Sequence, residues 1–168
     1  SATVHPMEYY DQGYGYIVYS TEALIDMDGA YLTLPIVHDI AHVYIDGQYR
    51  HSFLRTDTDR SLPIENGMHK IEVLVENMGR VNYGAKLKDA KGITQGIGFG
   101  NNFVYHWKNY PLPLDDISKL EFNEGVEEFD GTPVFLKAEI DIDECCDTFV
   151  KLPTFKKGII IVNNRVLS

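Results

Sequence analysis

The chain has 168 residues, 44% of them apolar, and its 25 acidic and 15 basic residues give a formal net charge of −10. The apolar fraction is typical of a folded protein and excludes an intrinsically disordered chain. The acidic balance repels phosphates and therefore argues against a nucleic-acid partner. No apolar run approaches the ~20 residues of a membrane-spanning helix, so no membrane partner is expected.

Short strands dominate the predicted elements of the first half, where apolar and polar residues alternate. The predicted strands cover residues 14–21, 31–34, 41–45, 48–54 and 70–75. Asp46-Gly47 separates two of these runs and predicts a hairpin turn. A second turn is predicted at Asn66-Gly67, and the polar residues 55–61 indicate an exposed loop.

Glycines interrupt the next apolar run, residues 92–100, at a spacing loosely similar to a dinucleotide-binding motif. That motif opens a helix after a strand, whereas here residues 100–102 predict a turn into a strand at 103–107. We therefore predict a tightly packed or bulged strand and no nucleotide site. Pro111 and Pro113 then indicate a domain boundary.

Beyond this boundary the sequence is again β-like. Asp115 is a suitable N-cap, so a short helical turn is predicted at 115–120, and the acidic residues 121–131 indicate a linker or exposed loop. Further strands are predicted at 133–142, 148–151 and 158–162. The sequence thus predicts an all-β protein, with a β-sandwich at residues 1–115 and a linker plus a truncated second β-domain at 116–168.

Cys145 and Cys146 are adjacent and are the only cysteines in the sequence. Neighbouring cysteines seldom bond to each other, and two thiols cannot complete a tetrahedral zinc site. We therefore expect no disulfide framework, no metal and no cofactor. A reducing or cytoplasmic compartment is compatible with this, but the compartment stays open because a signal peptide could have been removed.

The densest group of polar and aromatic side chains directly follows the predicted strand at 70–75, in the segment Glu-Asn-Met-Gly-Arg-Val-Asn-Tyr-Gly at 76–84. Its glycines, Gly79 and Gly84, permit positive φ and sharp turns. Asn, Arg and Tyr side chains recognise polar ligands and protein surfaces. The segment is therefore either a recognition loop or an internal polar clamp whose side chains satisfy backbone groups.

Residues 74–84, with the sequence Leu-Val-Glu-Asn-Met-Gly-Arg-Val-Asn-Tyr-Gly, resemble a signature in the non-catalytic part of glycoside hydrolase family 35 β-galactosidases. Further similar segments occur in the order of that family, at 14–21, 37–47, 88–93, 107–112 and 147–158. The resemblance covers nearly the whole chain. It implies a galactose-binding-like jelly-roll β-sandwich followed by part of a second β-sandwich.

In the family that this chain resembles, galactoside hydrolysis belongs to two glutamates on an upstream (β/α)8 barrel. Such a barrel needs ~250 residues, more than this all-β chain has. We therefore expect no catalytic residue here, and the resemblance implies the catalytic barrel of the parent chain as the partner. Asp141, Asp143 and Glu144 are close in sequence, but they are more typical of a solvated strand end than of a catalytic dyad.

The resemblance also makes Arg80, Asn82 and Tyr83 candidates for the substrate side of the parent enzyme or for the barrel interface. In that interpretation Tyr83 stacks on a sugar, while Arg80 or Asn82 holds a hydroxyl or a barrel loop. Glu76 and Asn77 are expected to form a structural clamp that satisfies buried backbone groups at a domain junction.

Three further residues were candidates for chemistry. Trp107 is the single tryptophan and a fourth candidate for the substrate side or the barrel interface, although the alternating faces of its predicted strand favour the core or an interface. His38 and Asp39 suggest a base and its orienting carboxylate. No nucleophile accompanies them, so we expect them to stabilise a turn.

Two functions from different classes remain open at this point. The first is an accessory domain that supports the catalytic barrel of a β-galactosidase. The second is an independent carbohydrate-binding module that binds galactosides weakly. Fold alone does not distinguish them, whereas binding of galactose or lactose by the isolated chain does, and we expect none.

The second β-domain resembles a truncated one, because Asn164 replaces a glycine usual in the family and the family pattern does not continue beyond it. A sandwich that lacks strands exposes an edge and an apolar face. We therefore predict self-association through this edge, or packing of residues 116–168 onto the first domain. Size-exclusion chromatography with limited proteolysis tests this, and a monomer whose C-terminal third resists protease would contradict it.

Overall fold

The computed structural model describes residues 2–125, 132–153, 155 and 157–167. The chain divides into two compact units, Ser1–Asp115 and Asp116–Ser168. The first unit begins with a single turn of 3-10 helix at Met7–Tyr10. The strands of the described residues are, in chain order, β1 Tyr16–Ile25, β2 Ala30–Thr33, β3 Val37–His38, β4 Ile40–Ile45, β5 Gln48–Leu54, β6 Ser61–Ile64, β7 Gly67–Glu76, β8 Gly92–Ile93, β9 Gly98–Phe99, β10 Asn102–Phe103, β11 Lys108–Leu112, β12 Ile160–Val162 and β13 Arg165–Leu167.

The first unit is a β-sandwich, as the sequence predicted. One antiparallel sheet has the strand order β11-β1-β7-β4-β5, and the other has the order β10-β9-β2-β6. Strands β1 and β7 pair over their full lengths, from Tyr16 opposite Glu76 to Ile25 opposite Gly67. Alternate residues of both sheets point into one apolar core. Each fully buried aliphatic side chain there contributes about 1.5–3 kcal/mol to folding.

The predicted hairpin at Asp46-Gly47 is confirmed. Strand β4 pairs antiparallel with β5, and φ is 54° at Asp46 and 76° at Gly47, as a two-residue type I′ turn requires. The register passes from Val43 opposite His51 to Tyr44 opposite Tyr49, so Arg50 is an extra residue in the edge strand. A bulge of this kind increases local twist and interrupts edge pairing.

The hydroxyl of Tyr19 joins three segments inside the sandwich. It donates to the carbonyl oxygen of His5 at 2.8 Å and accepts from the backbone N–H of Ile93 at 3.1 Å. Burial raises the pKa of Tyr19 well above its usual range, so the group stays neutral. A side chain at Gly92 would meet this hydroxyl, and φ there is 98°, so β8 can pass Tyr19 only with glycine at this position.

The predicted strand at 103–107 is wrong for most of its length. Strand β10 ends at Phe103, and His106 has a φ of 63°, which is incompatible with a continuing strand. The next strand, β11, extends through Pro111 to Leu112, shortly before the first unit ends at Asp115. The strand tolerates Pro111 because it lies at the edge of the five-stranded sheet. At an edge, the N–H that proline lacks is not needed to pair with a further strand.

The described residues of the second unit contain fewer strands than the sequence predicts. Residues 133–142 and 148–151 have no strand assignment and are exposed to solvent, so those predictions are wrong. Their alternation is present, but a strand needs a neighbour to accept its hydrogen bonds. The predicted strand at 158–162 is confirmed in part, since β12 pairs with β13 around a turn in which Asn163 and Asn164 have positive φ.

The connection between the units is simpler than predicted. In place of a helical turn capped by Asp115, the side chain of Asp116 accepts the N–H of Ser118 at 2.9 Å. One backbone bond from Leu120 to Ile117 closes an isolated turn. Of the predicted acidic loop, residues 126–131 lie outside the described residues.

Replacing Tyr19 by Phe should destabilise the first unit by about 1–3 kcal/mol, because two buried backbone groups lose their partner. Urea unfolding followed by circular dichroism measures this change. Tyr110→Phe is the matched control, because Tyr110 is 48% exposed and water solvates the position of its hydroxyl. Equal stability of the Tyr19→Phe variant and the unsubstituted chain would show that the hydroxyl does not hold these segments together.

Candidate functional site

The candidate site is the loop at residues 77–91, which connects β7 to β8. Asn77 fixes its start. The backbone N–H of Asn77 donates to Gly15 O at 3.1 Å, its Nδ2 donates to Gly13 O at 2.9 Å, and its Oδ1 accepts from Gly79 N at 2.9 Å. These bonds satisfy backbone groups of two segments, which is the geometry expected of a clamp.

The base of the loop contains a buried carboxylate. Asp39 is 3% exposed and follows β3. Its Oδ2 accepts the N–H of Met78 at 2.8 Å, and both oxygens accept from Lys91 Nζ, at 2.9 and 2.7 Å. Arg55 Nη1 donates to Oδ1 at 2.7 Å. Lys91 is itself 1% exposed, so the pair is removed from water and depends on these direct contacts.

A second layer of charged and polar contacts surrounds this pair. Arg55 Nη2 lies 2.5 Å from Asp89 Oδ2, so one guanidinium bridges the two carboxylates. His38 Nδ1 lies 2.6 Å from Ala90 O and 3.4 Å from Asp89 Oδ1. The end of the loop is thus held by His38, which lies in β3, and by Arg55, which directly follows β5.

The pKa of Asp39 lies below its ordinary value of 3.8. Burial acts in the opposite direction, but it is outweighed by hydrogen bonds from Lys91 and Met78 and by the positive charges of Lys91 and Arg55. Asp39 is therefore ionised at neutral pH. The sequence interpretation of Asp39 as a turn residue was incomplete, because Lys91 is distant in sequence and no local pattern links the two.

Arg80 is exposed and makes two contacts. Its Nη2 lies 2.5 Å from Glu8 Oε1, and its Nη1 donates to Asp89 O at 3.2 Å. The Glu8 carboxylate also accepts the backbone N–H of Lys91, and Met7 N donates to Lys91 O at 2.8 Å. Arg80 therefore joins the loop to the N-terminal segment in this structure.

The tip of the loop, residues 82–88, is exposed along its whole length. It includes Asn82 and Tyr83, and the ring of Tyr83 is 89% exposed. Arg80, Lys86 and Lys88 bring positive charge to the loop in a chain whose net charge is −10. A tyrosine presented on an anchored loop has the chemistry of a recognition residue.

Of the other two sequence candidates, Trp107 lies in the core and Glu76 directly precedes the loop. Trp107 is fully buried in the core, and its Nε1 donates to Val104 O at 2.8 Å. This placement agrees with the core interpretation and removes Trp107 as a sugar-contacting surface, since the indole presents no free face. Glu76 is half-buried at the end of β7, and its carbonyl oxygen accepts the N–H of Asp39 at 2.9 Å.

The residues that the structure describes contain neither a metal-ion site nor a membrane-spanning helix. No three His, Cys, Asp or Glu side chains among them are arranged to hold a metal ion. Within the same residues, no helix is both long and apolar enough to cross a bilayer. Cys145 and Cys146 are free and exposed thiols.

The buried Asp39–Lys91 pair predicts a stability loss in acid. Because the pKa of Asp39 is lower in the folded state than in the unfolded state, its stabilising contribution is complete well above pH 3.8 and declines as the pH falls below that value. Urea unfolding between pH 7 and pH 2.5 measures the decline. The Asp39→Asn variant should be less stable at neutral pH and should lose less stability in acid.

Asp26→Asn, which removes an exposed carboxylate, is the control for general charge effects. If Asp39→Asn and Asp26→Asn gave the same pH dependence, Asp39 would not be the group responsible.

Comparison with known proteins identifies the family of this sandwich. The family model described as "Beta-galactosidase, first all-beta domain" matches residues 5–113. A β-galactosidase of Xanthomonas manihotis is 33% identical over 164 residues, which cover 96% of this chain and 27% of that protein. Beta-galactosidase 1 of Dictyostelium discoideum is 29% identical over 94% of this chain and 27% of its own length, and human β-galactosidase is 28% identical over 90% and 26%.

The chain thus spans about a quarter of the length of these relatives. The matched residues contain nearly all of the β-sandwich and the whole 77–91 loop. The chain belongs to the family of first all-beta domains of β-galactosidases.

Proposed function

We propose that this chain is a non-catalytic accessory part of a glycoside hydrolase family 35 β-galactosidase. In this proposal the parent enzyme hydrolyses terminal β-D-galactosides with paired glutamates on a barrel outside this chain. The family match over residues 5–113, together with the quarter-length coverage of the relatives, is the observation that carries the proposal.

The proposal also assigns the domain order. The sandwich at residues 1–115 is a galactose-binding-like jelly roll placed C-terminal to the barrel, and residues 116–168 belong to a second β-domain. Support comes from the two antiparallel sheets packed around one core and from the break between the two compact units at Asp115.

The tip of the 77–91 loop is the proposed contact with the barrel on the substrate side. Support comes from the contrast within the loop, since its start is held by hydrogen bonds and its end by the buried Asp39–Lys91 ion pair, while Asn82 and Tyr83 are exposed. Arg80 connects the loop to Glu8 of the N-terminal segment and to the backbone of Asp89. Tyrosine side chains frequently anchor interfaces, because they add a large contact area for little conformational entropy.

An independent sugar-binding module is less well supported. Trp107, a sequence candidate for the substrate side, is buried in the core. Tyr83 alone supplies one exposed ring on the loop, and a sugar site of useful affinity needs several converging polar and aromatic groups.

A β-galactosidase assay tests the proposal on two proteins. One is this chain alone, and the other is the full gene product that contains it. With a nitrophenyl β-galactoside, we expect turnover by the full product only. In the full product, Tyr83→Ala should raise KM or lower kcat/KM about tenfold, since an anchoring contact of about 1–2 kcal/mol is lost. Tyr31→Ala, an exposed tyrosine on β2, is the matched control.

Turnover by the isolated chain would contradict the accessory role. An unchanged kcat/KM in the Tyr83→Ala product would contradict the assignment of the loop tip to the substrate side.

A further inference from the structure

Both ends of the 77–91 loop meet on one carboxylate. Met78, at the start, donates its N–H to Asp39 Oδ2 at 2.8 Å. Lys91, at the end, places its ammonium 2.7 Å from the same oxygen and 2.9 Å from Oδ1. The two ends of a long loop are therefore closed by a single buried side chain that does not belong to the loop.

The groups that complete this closure also come from outside the loop. Arg55, just after β5, bridges Asp39 and Asp89 with its two terminal nitrogens. The backbone of Asp39 is fixed as well, because its N–H donates to Glu76 O and its carbonyl oxygen accepts Arg55 N. The carboxylate is therefore in place on the sandwich, and the loop is positioned by binding to it.

We infer that Asp39 is a positioning residue for the recognition tip, with Lys91 and Arg55 as its counter-charges. It does not touch a ligand. It fixes the distance and orientation of the two loop ends, and so fixes where Asn82 and Tyr83 are presented. What the tip contacts rests on the proposed function, but the positioning itself does not.

The chemistry of the site predicts a selective effect. A flexible loop loses entropy when its ends are closed, and the closing contacts must offset that loss. Asn at position 39 keeps an oxygen for Met78 N–H but cannot neutralise Lys91. Replacing both members of a buried pair by apolar residues often preserves stability. The Asp39→Leu/Lys91→Met double variant thus separates stability from positioning, because it removes the carboxylate without leaving a buried charge.

Hydrogen–deuterium exchange of the whole chain, read by mass spectrometry, tests the inference. We expect the hydrogen-bonded amides at the two ends of the loop, those of residues 78 and 91, to exchange about tenfold faster or more in Asp39→Asn and in the double variant, with smaller changes in β1 and β7. Asp46→Asn is the matched control. Its carboxylate likewise accepts a backbone N–H, that of Lys70, and pairs with a histidine, but at a different turn.

Two outcomes would overturn the positioning role. One is unchanged loop exchange in both variants. The other is an equal rise in the loop and in β1 and β7, including in the double variant, which would mean that Asp39 only stabilises the domain as a whole.

A kinetic arm in the full gene product separates this inference from the proposed function. If Asp39 positions the tip, Asp39→Asn lowers kcat/KM, and adding it to Tyr83→Ala lowers kcat/KM little further. A loss with Tyr83→Ala and none with Asp39→Asn would overturn the positioning role. Faster loop exchange in Asp39→Asn, combined with normal kinetics in Tyr83→Ala, would support positioning and overturn the proposed assignment of the loop tip to the substrate side.

Discussion

The buried pair of Asp39 and Lys91 is the interaction on which the rest of the candidate site depends. Removing two charges from water costs several kcal/mol per ion, so such a pair persists only where geometry and extra hydrogen bonds offset that cost. Here the Met78 N–H and the Arg55 guanidinium supply those bonds. Because Lys91 is also the point where Glu8 and Met7 bind, the N-terminal segment is joined to the same cluster.

The paired sheets of the sandwich hold a loop whose tip presents exposed polar and aromatic side chains. Two paired sheets bury an apolar core and fix the ends of β3, β5 and β7. The charged cluster at those ends holds a loop whose tip is exposed and carries Tyr83. Precise presentation of a few side chains on a rigid scaffold is how binding loops work in general.

The sequence predicted those features of the fold that local pattern decides. Alternation identified β4, β5 and β7, and Asp46-Gly47 identified the hairpin of β4 and β5. The sequence prediction failed where a strand depends on a neighbouring strand. Residues 133–142 alternate but have no neighbouring strand among the described residues. The loop was recognised from its composition. The charged cluster that closes it was not, because Asp39, Arg55 and Lys91 come together only through the sheet topology.

Native-state exchange of a single amide, Met78, tests the central claim most directly. Its N–H lies on an exposed residue of the loop, yet it donates to the buried Asp39 carboxylate. If the Asp39 carboxylate closes the loop, the Met78 amide is protected from exchange nearly as strongly as the neighbouring β7 amide of Val75. If Met78 instead exchanges as fast as Ala85 at the exposed tip, the carboxylate does not close the loop and the account is wrong.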